Sequence, residues 1–531
     1  MTLDDLGRAI VIGSLVVLVA VVGVRFAGRL GVPGLLLYLA IGMLIGAVSP
    51  IGLEDLGLAP VLGYAALIFI LAHGGLTTRW SELRPVLWTS VTLATVGVAI
   101  SVTVVALPLI WWAGLEPRLA ILLGAVLAAT DAAAVFSVLR RVPIMSRLRT
   151  LLEGEAGFND APVVVLVTVV AGGALEAEPW LIPGLVLLEI VGGAAVGVAV
   201  GFATRWLLPR LALPAVGLYP IAVLTLLVGA YGIADLLHLS GFLAVYVSAV
   251  IVGSSSALPH RRSVKGFSDA LSWVAEIGLF VMLGLLVEPG RLMQSIGIAV
   301  LATVILVMVA RPLASIVSMA PFRWPPRCIA FVSVAGLRGA VPIVFAAIPL
   351  GLGMPGADLV FDATFIVVLM LTLVQTPLLP WATRRLGVAV VPEPGELEVD
   401  SAPLDGMRAI MLGLAVPADS QLVGVFVREL GLPTSSALSL VIRDGAAVVP
   451  HPETRLRAGD QLVVVSTEAD RASTERRLRA LSRHGRLAQW QGDRGEADCS
   501  CSWATKLGPA NGLGDDVGAK SDQWQAAARM R

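Results

Sequence analysis

Charged side chains are scarce in apolar stretches, and the few that occur there are the candidates for chemistry. The stretch LLEGEAGFNDAPVVVLV, Leu151 to Val167, holds Glu153, Glu155, Asn159 and Asp160 and then runs into an apolar segment. LAATDAAAVF carries Thr130 and Asp131, SWVAEIGLF carries Glu276, and VAGLRGAVPIVF carries Arg338. His73 lies in LAHGGL, and Arg311 follows another apolar run. A charge at the centre of a bilayer costs at least ~2.5–3.5 kcal/mol, so residues of this kind face a cavity, a partner or an ion. At about 100° per residue, Glu155 and Asn159 share a helix face, while Asp160 points about 140° away from Glu155. The two carboxylates therefore address different neighbours. Arg338 cannot lose its charge and needs an anion; Glu155 is the economical partner. Asp160 is left to bind something exchangeable, a proton or a cation. Glu153 reads as a charge at a helix entrance. Arg311 either caps a helix at the inner face or modulates the site. Glu189, Asp235 and His238 lie near segment ends and read as interfacial.

These residues must be positioned by membrane helices. The chain has 531 residues, 57% hydrophobic and 14% charged, where soluble domains average about 25% charged. Thirteen apolar segments have spanning length, near residues 9–28, 32–50, 59–76, 85–112, 118–139, 155–176, 182–209, 218–236, 240–256, 270–287, 294–320, 327–350 and 359–384, since roughly 20 apolar residues cross a bilayer. The first lacks a basic leader and a small-residue cleavage pattern, so it reads as a retained helix. With the N-terminus placed outside, inner loops collect the basic residues, among them Arg140, Arg141, Arg147, Arg149, Arg261 and Arg262. Outer loops hold Arg8, Arg118 and Arg291. This bias sets the orientation and puts the C-terminal region in the cytosol. Cys328, Cys499 and Cys501 then lie in the membrane or on the reducing side, so no disulfide is expected. The formal net charge is zero, which implies no nucleic-acid partner.

The fifth segment is interrupted by Thr130-Asp131, and the twelfth by Gly336, Gly339 and Pro342 around Arg338. With the seventh as a linker, segments 1–6 and 8–13 form two six-span halves of opposite orientation, in which the fifth and twelfth are equivalent. Matching breaks in inverted repeats point to a transporter's midplane site, where freed carbonyls and helix-end dipoles meet ions.

After residues 1–390, residues 391–404 read as a linker and 405–483 as a small α/β domain. MRAIMLGLAV, ALSLVIRDGAAVVP and DQLVVVS read as strands, with a hairpin turn at Asp444-Gly445. QLVGVFVREL and EADRASTERRLRALSR have helical spacing. Residues 484–531 are polar and aperiodic and read as a disordered tail. The isolated Cys-Ser-Cys in it has no metal-site spacing. No cofactor motif occurs: there is no P-loop and no strand-linked G-x-G-x-x-G.

TDAAAVFSVLR, LEGEAGFNDAP and GLRGAVPI, in this order and on these segments, resemble the monovalent cation:proton antiporter-1 family. The resemblance covers residues 1–390 and is greatest for the bacterial potassium/proton branch with an appended cytosolic domain. VPADSQLVGVFVRELGLP and RAGDQLVVV resemble the RCK-C (TrkA-C) ligand-binding module. The resemblance implies an all-α polytopic protein of about thirteen helices with unwound crossing helices, plus the small cytosolic domain. It implies a homodimer in the plasma (inner) membrane, and alternating access with proton and cation competing for Asp160. It further implies that Thr130, Asp131 and Asn159 complete the site and that Glu155 and Arg338 form a structural ion pair. Asn-Asp at 159–160 implies electroneutral exchange, because one exchangeable carboxylate carries either one proton or one cation. The chain departs from the pattern at His73, where many relatives have Asp or Glu, and at Ala156, where relatives often have Ser; Glu276, where relatives often have Gln, is the candidate to compensate. His73 and Ala156 remove oxygen ligands. Water in their place favours a larger, weakly hydrated ion, potassium over sodium. His73, Glu276 and Arg311 are candidate modulators, and a small regulatory ligand is expected on the C-terminal domain. A cation channel, a membrane enzyme and a transport-inactive sensor are the alternatives. No T-V-G-Y-G filter and no H-E-x-x-H occurs to favour the first two.

Overall fold

The computed structural model describes residues 7, 11, 13–15, 17–23, 34–48, 58–131, 134–135, 144–173, 182–255, 258–389, 399–404, 409–417, 420–443, 445–467 and 470–487. Of the tail 484–531 expected to be disordered, 488–531 lie outside them, whereas His484 closes a helix and Gly485–Leu487 form a 3₁₀ turn, so the ordered unit runs further than its sequence suggested. Two units separate, Met1–Val391 and Pro392–Arg531.

In the first unit, seven helices are long and apolar enough to cross a membrane: Leu87–Trp111, Ser146–Ala171, Pro183–Leu211, Leu218–Leu236, Arg261–Leu285, Pro289–Phe322 and Ala357–Arg385. They occupy the fourth, sixth to eighth, tenth, eleventh and thirteenth expected positions. Shorter apolar helices Gly34–Gly46, Val61–Thr77, Pro117–Ala128, Gly241–Ser254 and Ala340–Gly351 fill the second, third, fifth, ninth and twelfth. Residues 13–15 and 17–23, in the first, are also helical. The sixth span begins at Ser146 and the tenth at Arg261, each about nine residues before its apolar run. Their first turns carry Arg147, Arg149, Arg261, Arg262 and Lys265, whose long stems let a helix continue past the apolar zone while the charges reach water.

The fifth and twelfth spans are short because they break. The fifth stops at Ala128, runs through non-helical Ala129–Asp131, and is helical again at Ala134. The twelfth is two helices, Pro326–Val334 and Ala340–Gly351, joined by non-helical Ala335–Gly339. The fourth and eleventh spans each contain a π-helical turn, at Leu93–Gly97 and at Leu306–Ala310. Such turns re-aim the residues that follow and cluster at functional sites. Each π turn packs against the other span, and the Ser318 hydroxyl donates to the Thr92 carbonyl at 3.4 Å. The two departures from regular helix thus recur seven spans apart.

Spans four to six pack with eleven to thirteen, and spans two and three pack with eight to ten. The seventh lies along the ninth through Gly193, Gly197 and Gly201. A Cβ on Gly193 would lie 2.4 Å from the Ser240 carbonyl oxygen, and one on Gly197 2.7 Å from that of Ala244. Small residues at this spacing let membrane helices approach backbone to backbone. Where the two groups meet, Gly157 of the sixth span abuts the Tyr246 ring of the ninth, where a Cβ would lie 2.4 Å from ring carbon. Phe158 stacks edge-on against the same ring, centroids 5.3 Å apart.

The thirteenth span ends in a left-handed turn at Gly387 (φ +63°), with Val388 N–H donating to Thr383 O at 3.2 Å and Gly387 N–H to Arg384 O at 3.3 Å. This cap satisfies the last carbonyls and buries Val388 completely. Ala389 then forms an antiparallel bridge with Ile144, just before the sixth span, where Met145 N–H donates to Val388 O at 3.4 Å.

The second unit is an antiparallel sheet in the order β1-β2-β5-β3-β4. Its strands are β1 (Val399–Leu404), β2 (Ala409–Ala415), β3 (Ser436–Arg443), β4 (Ala446–Val448) and β5 (Gln461–Thr467). Helix Arg471–His484 adds Leu478 and Leu481 to a core with Leu412, Leu414, Leu462 and Val464. β3 and β4 pair Arg443 with Ala446, as the Asp-Gly hairpin required. Two readings need correction. Residues 399–404, read as linker, form β1 and pair with β2. QLVGVFVREL is no α-helix and keeps only a 3₁₀ turn, Val427–Glu429. Its backbone N–H groups at Gly424 and Val427 donate to Leu456 and Thr454 across the chain, and Gly424 and Gly431 take positive φ. Long-range pairing has overridden local helical spacing.

Asp460 is buried, and Arg443 donates to its two oxygens at 2.8 and 2.7 Å. Burial works against its charge, but the hydrogen bonds from Arg443 and the Arg457 amide outweigh it and hold the carboxyl below its ordinary value. The stability this contributes is complete above the unfolded carboxyl pKa of about 3.9 and is lost as pH falls through the lower folded value. Asp460→Asn should therefore weaken the sheet by about 2–3 kcal/mol at pH 7. Hydrogen exchange of β2 and β5 in the full-length protein measures this, and the gap to the parent should close under acid.

Candidate ion-binding site

The sixth span carries Asn159 and Asp160 past the break in the fifth. Asn159 Nδ2 donates to Thr130 Oγ1 at 2.6 Å, which ties the two spans together at the point where the fifth has lost its helix. Asp160 is fully buried. Neither of its carboxylate oxygens accepts a hydrogen bond among the described residues, and Asn159 Oδ1 also has no donor. Buried carboxylate oxygens normally have donors. Three buried oxygens without one, on two adjacent residues, form a set that a proton or a small cation can complete. The charged group acting on Asp160 is Asp131.

Asp131 is engaged with backbone. Its Oδ2 accepts from Ala340 N–H at 2.6 Å, at the start of the twelfth span's second helix, and its Oδ1 from Ala134 N–H at 3.3 Å, where the fifth resumes. One carboxylate thus faces two helix N-termini, whose dipoles favour negative charge. Gly339 makes the contact feasible, because a Cβ there would lie 2.0 Å from Asp131 Oδ2.

The expected Glu155–Arg338 pair is not the one the structure forms. Arg311 takes Glu155 with both arms, Nη1 to Oε1 at 2.5 Å and Nη2 to Oε2 at 3.0 Å. Arg311 follows directly on the π turn at Leu306–Ala310. Gly336 opens the space beside it: a Cβ there would lie 2.3 Å from Arg311 Nε. Nor does Arg311 cap a helix at the surface, for it is buried. Arg338, inside the twelfth-span break, donates from Nη1 to Ala129 O at 2.6 Å, beyond the end of the fifth span's first helix. A cation at a helix C-terminal end is favourably placed.

The freed carbonyls of the twelfth break do not point at an open site. Gln375 Nε2 donates to Val334 O at 3.4 Å and to Gly336 O at 3.3 Å. Thr372 Oγ1 donates to Arg338 O at 3.3 Å. Asp131 N–H donates to Leu337 O at 3.1 Å, and Leu337 N–H to Ala335 O at 2.8 Å. Thr372 and Gln375 were missed in the sequence, although two polar residues three apart in an apolar span share a face and signal a partner.

His73 is buried against the tenth span, with Nδ1 3.2 Å from Ser268 Oγ and Nε2 3.3 Å from Asp269 Oδ1. Glu276 is buried on the tenth span, and its charge acts on Tyr38 of the second. His73→Gln, which can still meet Ser268 and gives up the contact to Asp269, should therefore leave the apparent cation affinity within about twofold of the parent across pH, a change no larger than one neutral hydrogen bond. Cation titrations of exchange at several pH values measure this.

A membrane unit with two broken spans that meet at Asp131, beside a buried Asp160 that has no donor among the described residues, is built as a secondary ion transporter. The chain belongs to the sodium/hydrogen exchanger family, whose transmembrane domain matches residues 15–385. A TrkA-C domain matches residues 411–479. The chain is 33% identical over 478 residues to the K(+)/H(+) antiporter NhaP2 of Shewanella sp. (strain ANA-3), covering 88% of this chain and 83% of that one. It is 32% identical over 479 residues to the K(+)/H(+) antiporter NhaP of Alkalimonas amylolytica, with 88% and 83% covered. The fold is similar to that of the sodium proton antiporter MjNhaP1 from Methanocaldococcus jannaschii, with a TM-score of 0.61 at 22% identity, covering 72% of this chain and 99% of that one.

Proposed function

We infer that this chain exchanges a monovalent cation for a proton across the plasma membrane by alternating access, with potassium favoured over sodium. The observation that carries this reading is Asp160, fully buried with no donor on either oxygen among the described residues. Protonated, it is neutral. Ionised, it needs a cation, with Asn159 Oδ1 and Thr130 Oγ1 as neutral co-ligands. Proton and cation thus exclude one another. Because Asn159 supplies no second carboxylate, one proton trades for one cation and the cycle is electroneutral. Asp131 serves this site as the anchor of two helix ends. The two helix groups that meet at Gly157 and Tyr246 are the bodies whose relative movement would expose Asp160 to each side in turn.

The loop charges support an N-terminus outside and a C-terminal unit in the cytoplasm. There the TrkA-C-like sheet would bind a small ligand and regulate exchange, in a chain that works as a homodimer. Two relatives named K(+)/H(+) antiporter support potassium. Proton release from everted vesicles, titrated separately with potassium and sodium, tests the reading. Exchange should saturate with potassium at the lower concentration and be indifferent to membrane potential. A current without proton movement would instead indicate a channel.

A further inference from the structure

We propose that Gln375 is a specificity-determining residue, which keeps the break of the twelfth span from coordinating cation and so confines binding to the oxygens around Asp160. The proposal rests on the exchange reading given above. A broken membrane helix releases carbonyls, and released carbonyls are cation ligands in transporters. Between Val334 and Arg338 every carbonyl has a protein donor, and Gln375 Nε2 supplies two of the five, at 3.4 and 3.3 Å. The side chain is buried, so water does not replace it cheaply. A neutral amide is suited to this task. Its N–H groups occupy the two carbonyls as a cation would and it adds no charge beside Arg311 and Arg338; its own Oε1, without a donor among the described residues, is the single uncharged oxygen it presents in their place. A lysine there would add a third cation, and a leucine would leave two acceptors open.

Full-length parent, Gln375→Leu and Gln375→Glu, reconstituted in proteoliposomes, test this through the ratio of apparent affinities for potassium and sodium. Gln375→Leu should change that ratio at least threefold, because two carbonyl oxygens become available to the ion. Gln375→Glu carries its own control. While protonated, its carboxyl donates one hydrogen bond where the amide donates two, so one carbonyl opens and the ratio should lie between those of the parent and Gln375→Leu. Once ionised, it donates none and adds an anionic oxygen, and the ratio should move at least as far as in Gln375→Leu. The shift with pH is read within one preparation, so it remains decisive if the leucine variant does not fold. A ratio that stays parental in Gln375→Glu at every pH, with only the maximal rate reduced, would make Gln375 merely structural and overturn the proposal. Absence of exchange in the parent would instead defeat the underlying functional reading.

Discussion

Asp160→Asn should reduce exchange to the level of protein-free vesicles while the purified protein melts at or above the parent's temperature. Both halves follow from the same observation. Asp160 has no donor among the described residues, so asparagine gives up no hydrogen bond on the carboxylate. The substitution also removes a charge that burial penalises. What it removes is the group that, in the proposed cycle, alternates between a proton and a cation. A merely structural carboxylate would behave in the opposite way, with lost stability and retained turnover. Rates measured with potassium and with sodium, beside thermal denaturation in detergent, separate the two, and sustained exchange would remove Asp160 from the mechanism.

Glu155→Gln and Arg311→Gln should each cost about 3–5 kcal/mol, the usual penalty for leaving one member of a buried pair uncompensated. The pair is bidentate and nearly solvent-free, and it joins the span that carries the site to the span with the second π turn. Replacing both residues with apolar side chains of similar volume should recover much of the loss, since the second charge is no longer stranded. Yields and melting temperatures of the two single variants and the double variant give the coupling directly. If Arg338→Gln proved more damaging than Arg311→Gln and coupled more strongly to Glu155, the observed pairing would not be the one that matters.

The choice between these two arginines shows what the sequence could carry. Both lie in apolar segments, and helical geometry placed Glu155 toward some cation without saying which. The answer depended on a π turn and on Gly336, and neither has a signature in spacing. The number and order of the membrane helices was legible, because apolarity over about 20 residues is a length signal. So were the two breaks, since Thr130-Asp131 and the Gly-Leu-Arg-Gly of 336–339 are costly inside a continuous helix. Asn159 and Asp160 were readable for the same reason. The role of Asp131 was not: a carboxylate between two helix starts is a long-range fact, made feasible by a glycine on another span. Gln375 carried a local signal that only its partners made meaningful. In the second unit, strands with alternating residues were plain. The stretch around Val427 was not, because hydrogen bonds to residues 452–456 decided it.

The bridge between Ile144 and Ala389 bears on how such chains can be cut and recombined. A junction at Arg385 looks natural, since the last helix ends there. It would discard the Gly387 turn, the buried Val388 and the partner of Ile144. That would uncap the thirteenth span and strip support from the entry of the Asp160 helix. A junction after Val391 keeps all of these, and it is also where the compact membrane unit ends. A chimera joined there tests what a transplanted second unit does, whereas one joined at Arg385 would confound the unit's effect with damage to the membrane unit. The same reasoning applies to a gene fusion that arises in nature: modules can be traded freely only downstream of the Ile144–Ala389 pair.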